Sequence, residues 1–77
     1  MKEYNVRIVP IEDVKRVVAT VMRFDFDIDL ISGRYSIDAK SIMGIFSVDL
    51  SKELKLVAHT DEDTSEFEEA ISDFIVK

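Results

Sequence analysis

Apolar residues near the N-terminus fall at every second position: Tyr4, Val6 and Ile8 alternate with Glu3, Asn5 and Arg7, the period of a strand with one buried face. Pro10 ends that run, and from Ile11 the period changes. Ile11, Val14, Val17, Val18, Val21 and Met22 recur at three- and four-residue steps, with Glu12, Lys15, Arg16 and Arg23 on the other side; this predicts an amphipathic helix. Glu12 and Asp13 in its first turn and Arg23 in its last suit the helix dipole. Proline is tolerated at a helix start, where its missing N–H would have no intrahelical partner.

Alternation then returns. Phe26, Ile28 and Leu30 interleave with Asp25, Asp27 and Asp29, which predicts a second strand with carboxylates outward. Ser32-Gly33 reads as a turn, and Tyr35 with Ile37 continues the pattern into a third strand, so the pair forms a hairpin. Ser41 precedes the apolar segment Ile42 to Val48, where a serine hydroxyl can cap a helix of about two turns. Leu54, Leu56 and Ala58 mark a fourth strand. Ser65 with Glu68 three residues later has the form of a capping box, opening a last helix with Phe67, Ala70, Ile71, Phe74 and Ile75 on its core face.

The order is βαββαβα. Helices that each carry one apolar face need one sheet face to cover, which predicts an α+β fold: a two-layer sandwich whose other sheet face is open to solvent. Glu3, Asn5, Arg7, Asp25, Asp27 and Asp29 would populate the open face. No linker or repeat interrupts the pattern, so residues 1–77 read as one domain.

Size and charge narrow the function classes. A chain of 77 residues buries only about 60–65% of the surface its unfolded form exposes, which leaves little room for a large cofactor pocket, and no cofactor is expected. The chain has no cysteine, which excludes thiolate metal sites, disulfides and thiol nucleophiles and favours a reducing compartment, the cytoplasm by default. The longest uncharged stretch, Val17 to Met22, is far too short to cross a bilayer, so no membrane insertion is expected. The net charge is −6, with nine of the sixteen acidic residues between positions 49 and 77. Such a chain repels phosphate backbones, and Lys15, Arg16 and Arg23 alone do not make a nucleic-acid surface.

The segment Lys40-Ser41-Ile42-Met43-Gly44 resembles the regulatory-serine region of HPr, the histidine-containing phosphocarrier of the bacterial sugar phosphotransferase system. The likeness extends from about Val6 into the last helix: Phe24 to Ile28 is similar to the family's second strand and Leu54 to Ala58 to its fourth. The resemblance implies an antiparallel sheet of order 1-4-2-3 with three helices on one face. The same register lays the family's active-site motif, Gly-Ile-His-Ala-Arg-Pro-Ala, on Ile8 to Val14. Pro10 then stands where the histidine belongs and Glu12 where the arginine belongs. Phosphoryl transfer needs an imidazole nitrogen and a cation to steady the phosphate. Proline supplies neither, and a carboxylate adds repulsion, so no catalytic residue is expected.

His59 is the sole histidine. In the family's strand order it lies on the order of 20 Å, at ~3.3 Å per residue, from the start of the first helix; it reads as a surface strand residue. Asp13 as a phosphate acceptor would need a magnesium pocket that nothing in the sequence suggests. Ser41 has two compatible readings, a helix cap worth ~1 kcal/mol and the family's regulatory phosphorylation site, where added charge suits the helix dipole. If Glu12 lies near Ser41, as the resemblance implies, it would oppose that phosphate. On the short helix, Ile45 and Val48 can face the core while Ile42, Met43 and Phe46 cannot all do so. An exposed Ile42, Met43 and Phe46 patch beside Lys15, Arg16 and Lys40 would serve as a docking surface.

No metal site is expected: Asp25, Asp27 and Asp29 are ~7 Å apart along a strand, and the Asp61, Asp63, Ser65 run lacks the glycine and final glutamate of a calcium loop. The leading expectation is therefore a non-enzymatic HPr-like regulatory or interaction module, switched at Ser41. Its partner is a protein: HPr kinase/phosphorylase, a transcriptional regulator or a phosphotransferase-system enzyme. The alternatives are a working carrier that uses His59 or a carboxylate, and a structural subunit of a larger assembly; the oligomeric state is left open.

Overall fold

The structure, a computed structural model, describes residues 1–8 and 12–76. Its elements are β1 (Lys2–Val6), α1 (Asp13–Val21), β2 (Asp27–Ser32), β3 (Tyr35–Asp38), α2 (Ile42–Phe46), β4 (Leu54–His59) and α3 (Ser65–Ala70). The four strands form one antiparallel sheet in the order β1-β4-β2-β3. The expected element order and strand order both hold.

Period-two alternation sends Val6, Leu54, Leu56, Ala58, Ile28 and Leu30 to one sheet face, where all are buried. Val14, Val17 and Val21 of α1, Ile45 of α2 and Phe67 of α3 close over them. Each such side chain gains about 1.5–3 kcal/mol from leaving water. Phe67 is the hub of an aromatic cluster, with ring centroids 5.1 Å from Phe24, 5.4 Å from Phe26 and 5.8 Å from Tyr4. The edge-on approach of Phe24 and Phe26 is the arrangement that ring quadrupoles favour.

The opposite sheet face is open. Glu3, Asn5 and Lys55 are exposed there, and Lys55 Nζ meets Glu3 Oε1 at 3.1 Å. Asp27 and Asp29 lie on it as expected, but Asp25 falls before β2 begins. Val57 sits on this outer face between Glu3 and Asp29 in the cross-strand register, yet only 4% of it is exposed. Flanking side chains cover a small residue at the middle of a sheet even without a second layer.

Several element ends differ from the sequence reading, each for a local reason. Pro10 and Ile11 lie outside the described residues. Met22 is 63% exposed and is no core residue, because α1 stops at Val21 and Met22 occupies the C-cap. The hairpin turn is Gly33-Arg34, closing on the Ser32–Tyr35 pair; Gly33 has φ +58°, a left-handed value that glycine reaches without a Cβ clash. α2 is one turn rather than two, since the Ser47 hydroxyl donates to the Gly44 carbonyl and closes the segment.

The Ser65–Glu68 capping box does not form. The Ser65 N–H and hydroxyl both donate to Asp63 Oδ1, at 2.9 and 2.6 Å. Glu68 turns instead to Tyr4 and to Thr64, whose hydroxyls each donate to its Oε2 at 2.8 Å. α3 also ends at Ala70 instead of running on to Ile75. There Arg7 N–H donates to the Phe74 carbonyl at 2.9 Å and Val76 N–H to the Asn5 carbonyl at 2.8 Å, so residues 74–76 lie along the outer edge of β1.

Candidate functional site

Ser41 occupies the N-cap of α2 with extended backbone angles, φ −102° and ψ 108°. Its Oγ accepts a hydrogen bond from Gly44 N–H at 3.2 Å and its carbonyl accepts from Ile45 N–H at 3.1 Å. The residue is exposed, so the hydroxyl both caps the helix and faces solvent. Gly44 suits the cap: a Cβ there would come within 3.3 Å of Ser41 Oγ. The order Ser-Ile-Met-Gly thus combines a cap, a residue packed against the core, an exposed residue and a close approach.

One turn of helix divides its apolar residues between two sides. Ile45 is fully buried and Ile42 packs against the core from a half-buried position. Met43 is 77% exposed and Phe46 45% exposed, and their three-residue spacing puts them on the same side. The exposed patch is therefore Met43 and Phe46, with Ile42 contributing only its uncovered part. α1 packs beside α2.

The basic residues assigned to this surface are not equally free. Lys15 is exposed and has no ion pair among the described residues. Arg16 is tethered: Nη1 is 3.2 Å from Asp13 Oδ1, Nη2 is 3.0 Å from Asp73 Oδ2, and its guanidinium carbon lies 5.2 Å from the centre of the Phe74 ring. Lys40 is half-buried, its Nζ donating to the Phe24 carbonyl at 2.8 Å. Asp13–Arg16 is an i, i+3 pair, but the Arg16–Asp73 and Lys40–Phe24 contacts link elements distant in sequence and were not visible in the i, i+3 and i, i+4 spacings.

Pro10, laid on the family's histidine position, is outside the described residues, whereas Glu12 is exposed at the N-cap of α1 and makes no side-chain cap bond. Asp13, in the first turn, is engaged by Arg16. His59 ends β4 at the far end from this region. Val6, which leads toward α1, pairs with Leu54, five residues before His59, a separation of about 17 Å along the strand. Its Nε2 is 2.7 Å from Asp29 Oδ2 on the open face. An open hollow of about 630 Å³ covers that face, lined by Glu3, Asn5, Ile31, Lys55 and Val57 among others. The structure does not bring His59 to the start of α1.

Among the described residues no group of three or more His, Asp or Glu side chains is placed to hold a metal ion. No described helix is long and apolar enough to cross a membrane.

A search of curated proteins finds no match. The crystal structure of HPr-C-His from Thermoanaerobacter tengcongensis is similar to this chain at 30% identity and a TM-score of 0.77, covering 95% of this chain and 89% of that one. The family model for the phosphotransferase-system HPr component phosphorylation site matches residues 13–77. With the element order, the 1-4-2-3 sheet and the serine-capped short helix, this match establishes that the chain belongs to the HPr family of the phosphotransferase system.

Proposed function

We propose that this chain is an HPr-like regulatory and interaction module that has lost histidine phosphotransfer, docks protein partners through α2, and is switched by phosphorylation of Ser41. The observation that carries the reading is a separation. The exposed Ser41, Met43 and Phe46 sit together on α2, while the sole histidine ends β4, held by Asp29 and about 17 Å along the strand from the Val6–Leu54 pair that leads toward α1. A phosphoryl group on His59 would lie about 17 Å along β4 from the end of the sheet where α1 begins.

Met43 and Phe46 supply apolar area for a partner, and Lys15 supplies a charge with no intramolecular ion pair among the described residues. Phosphorylation of Ser41 would form an Oγ–P bond as the γ-phosphoryl group leaves ADP, with the hydroxyl proton going to a base on the kinase. The product adds a charge of about −1.5 to −2 within one turn of Met43. That charge changes which partners the apolar patch accepts. Within the cytoplasm, partners of this chemistry include HPr kinase/phosphorylase, a transcriptional regulator and the phosphotransferase enzymes.

The test uses purified HPr kinase/phosphorylase with ATP. The reading expects acid-stable phosphate on Ser41 and none on a Ser41→Ala variant; absence of transfer to Ser41 would remove the switch. In parallel, enzyme I titrated into the isotope-labelled chain should perturb α2 resonances. Met43→Asp and Phe46→Asp should abolish that effect while the circular dichroism of the fold is retained.

A further inference from the structure

The two edges of the sheet are treated differently. Beside β1, the Phe74 to Val76 segment takes up the outward backbone groups, through Arg7 N–H to Phe74 O and Val76 N–H to Asn5 O. Among the described residues no strand lies beside β3 on its outer side, and Tyr35 is 71% exposed. An uncovered edge is a template for a further strand.

The hairpin fixes which β3 groups point outward. A two-residue turn closes on a hydrogen-bonded pair, here Ser32 and Tyr35, so Tyr35 and Ile37 spend their backbone groups on β2. Ala39 N–H donating to Ile28 O at 2.9 Å keeps the same parity. Ser36 and Asp38 therefore turn their backbone toward the open edge. A second copy approaching antiparallel must set even-numbered residues against even-numbered residues.

Charge chooses among the registers this leaves. With Ser36 opposite Ser36 of the second copy, Arg34 faces Asp38 at both ends and Tyr35 faces Ile37 twice. Moving one copy by two residues sets Arg34 against Lys40 in one direction and Arg34 against the uncharged Ser36 in the other, and two further sets Asp38 against Asp38 or Arg34 against Arg34. Opposite charges and aromatic–β-branched pairs directly across a ladder are favourable, and like charges are not. Arg34 has no ion pair among the described residues, and both Arg34 and Asp38 are exposed.

We infer that the β3 edge is a self-association surface: two copies pair antiparallel about Ser36, joining their sheets into one of eight strands. The contact is short and the dimer forms reversibly. α2 packs against the inner face of β3, with Gly44 beside Ile37, whereas the pairing uses the outward edge of the strand.

Sedimentation equilibrium and amide chemical shifts, followed from about 20 μM to about 1 mM, test this. Self-association is expected, with concentration-dependent shifts centred on Arg34 to Asp38. Arg34→Asp or Asp38→Arg should each weaken it at least about fivefold, since two attractive pairs become repulsive, and the double swap should restore it. Ser36→Pro, which removes an outward N–H and leaves the β2 ladder intact, should abolish it. A monomer throughout the range, shifts centred on α2, or a double swap no better than the singles would overturn the inference.

Discussion

Replacing Ser41 by alanine removes the one side-chain acceptor at the start of α2, the Oγ that takes Gly44 N–H at 3.2 Å. Loss of an N-cap costs about 0.5–2 kcal/mol. Here the lower half of that range applies, about 0.5–1 kcal/mol, because Ser41 is exposed and water can reach the released N–H. The effect should still register in global unfolding, since α2 carries the fully buried Ile45 and fraying of its first turn loosens that anchor. In a domain of this size the corresponding fall in Tm is about 2–8 °C. Ser41→Asp keeps an acceptor at the cap and should lie within about 0.3 kcal/mol of the parent chain. Urea denaturation of the three proteins reads this directly, as a shift in midpoint at constant slope. If Ser41→Ala is as stable as the parent, or Ser41→Asp falls as far as alanine, the hydroxyl is not the cap and the electrostatic account of Ser41 is wrong.

Phe67, 1% exposed and touching three other rings, should cost about 3–5 kcal/mol when replaced by alanine, seen as a large loss of urea midpoint or as an unfolded chain. Glu68 is held below the usual carboxylate range by hydrogen bonds from Tyr4 and then Thr64. A depressed folded pKa gives stability that is present above the unfolded value and lost as pH falls through the folded one. Tyr4→Phe combined with Thr64→Val should therefore flatten the acid side of the stability–pH curve. An acid limb unchanged by the double variant would show that Glu68 is not linked to it. His59→Ala, which removes only the exposed contact to Asp29, should shift stability by less than about 1 kcal/mol and leave kinase-dependent phosphorylation of Ser41 unchanged.

Alternating and three-four periodicity located all seven elements, because each buries one face and the apolar residues must repeat with its geometry. The resemblance carried by residues 40–44 supplied the strand order, which local pattern does not encode. Ends were harder. Ser65 and Glu68 had capping-box spacing, but Asp63 and Tyr4 offered competing partners, and Tyr4 is sixty-four residues from Glu68. The same limit applied at the candidate site. The exposure of Met43 and Phe46 followed from helical spacing around Ile45, whereas the tethering of Arg16 by Asp73 and of Lys40 by the Phe24 carbonyl depends on tertiary proximity. Met22 fitted the apolar stripe of α1 but fell one residue past its end.

Loss of histidine phosphotransfer is the claim on which the functional reading turns, and incubation with enzyme I and phosphoenolpyruvate, followed by intact-mass analysis under neutral and acid conditions, addresses it most directly. The account predicts no acid-labile phosphate on any residue while the fold and the Ser41 surface remain intact. Acid-labile phosphate on the chain, on His59 above all, would contradict it.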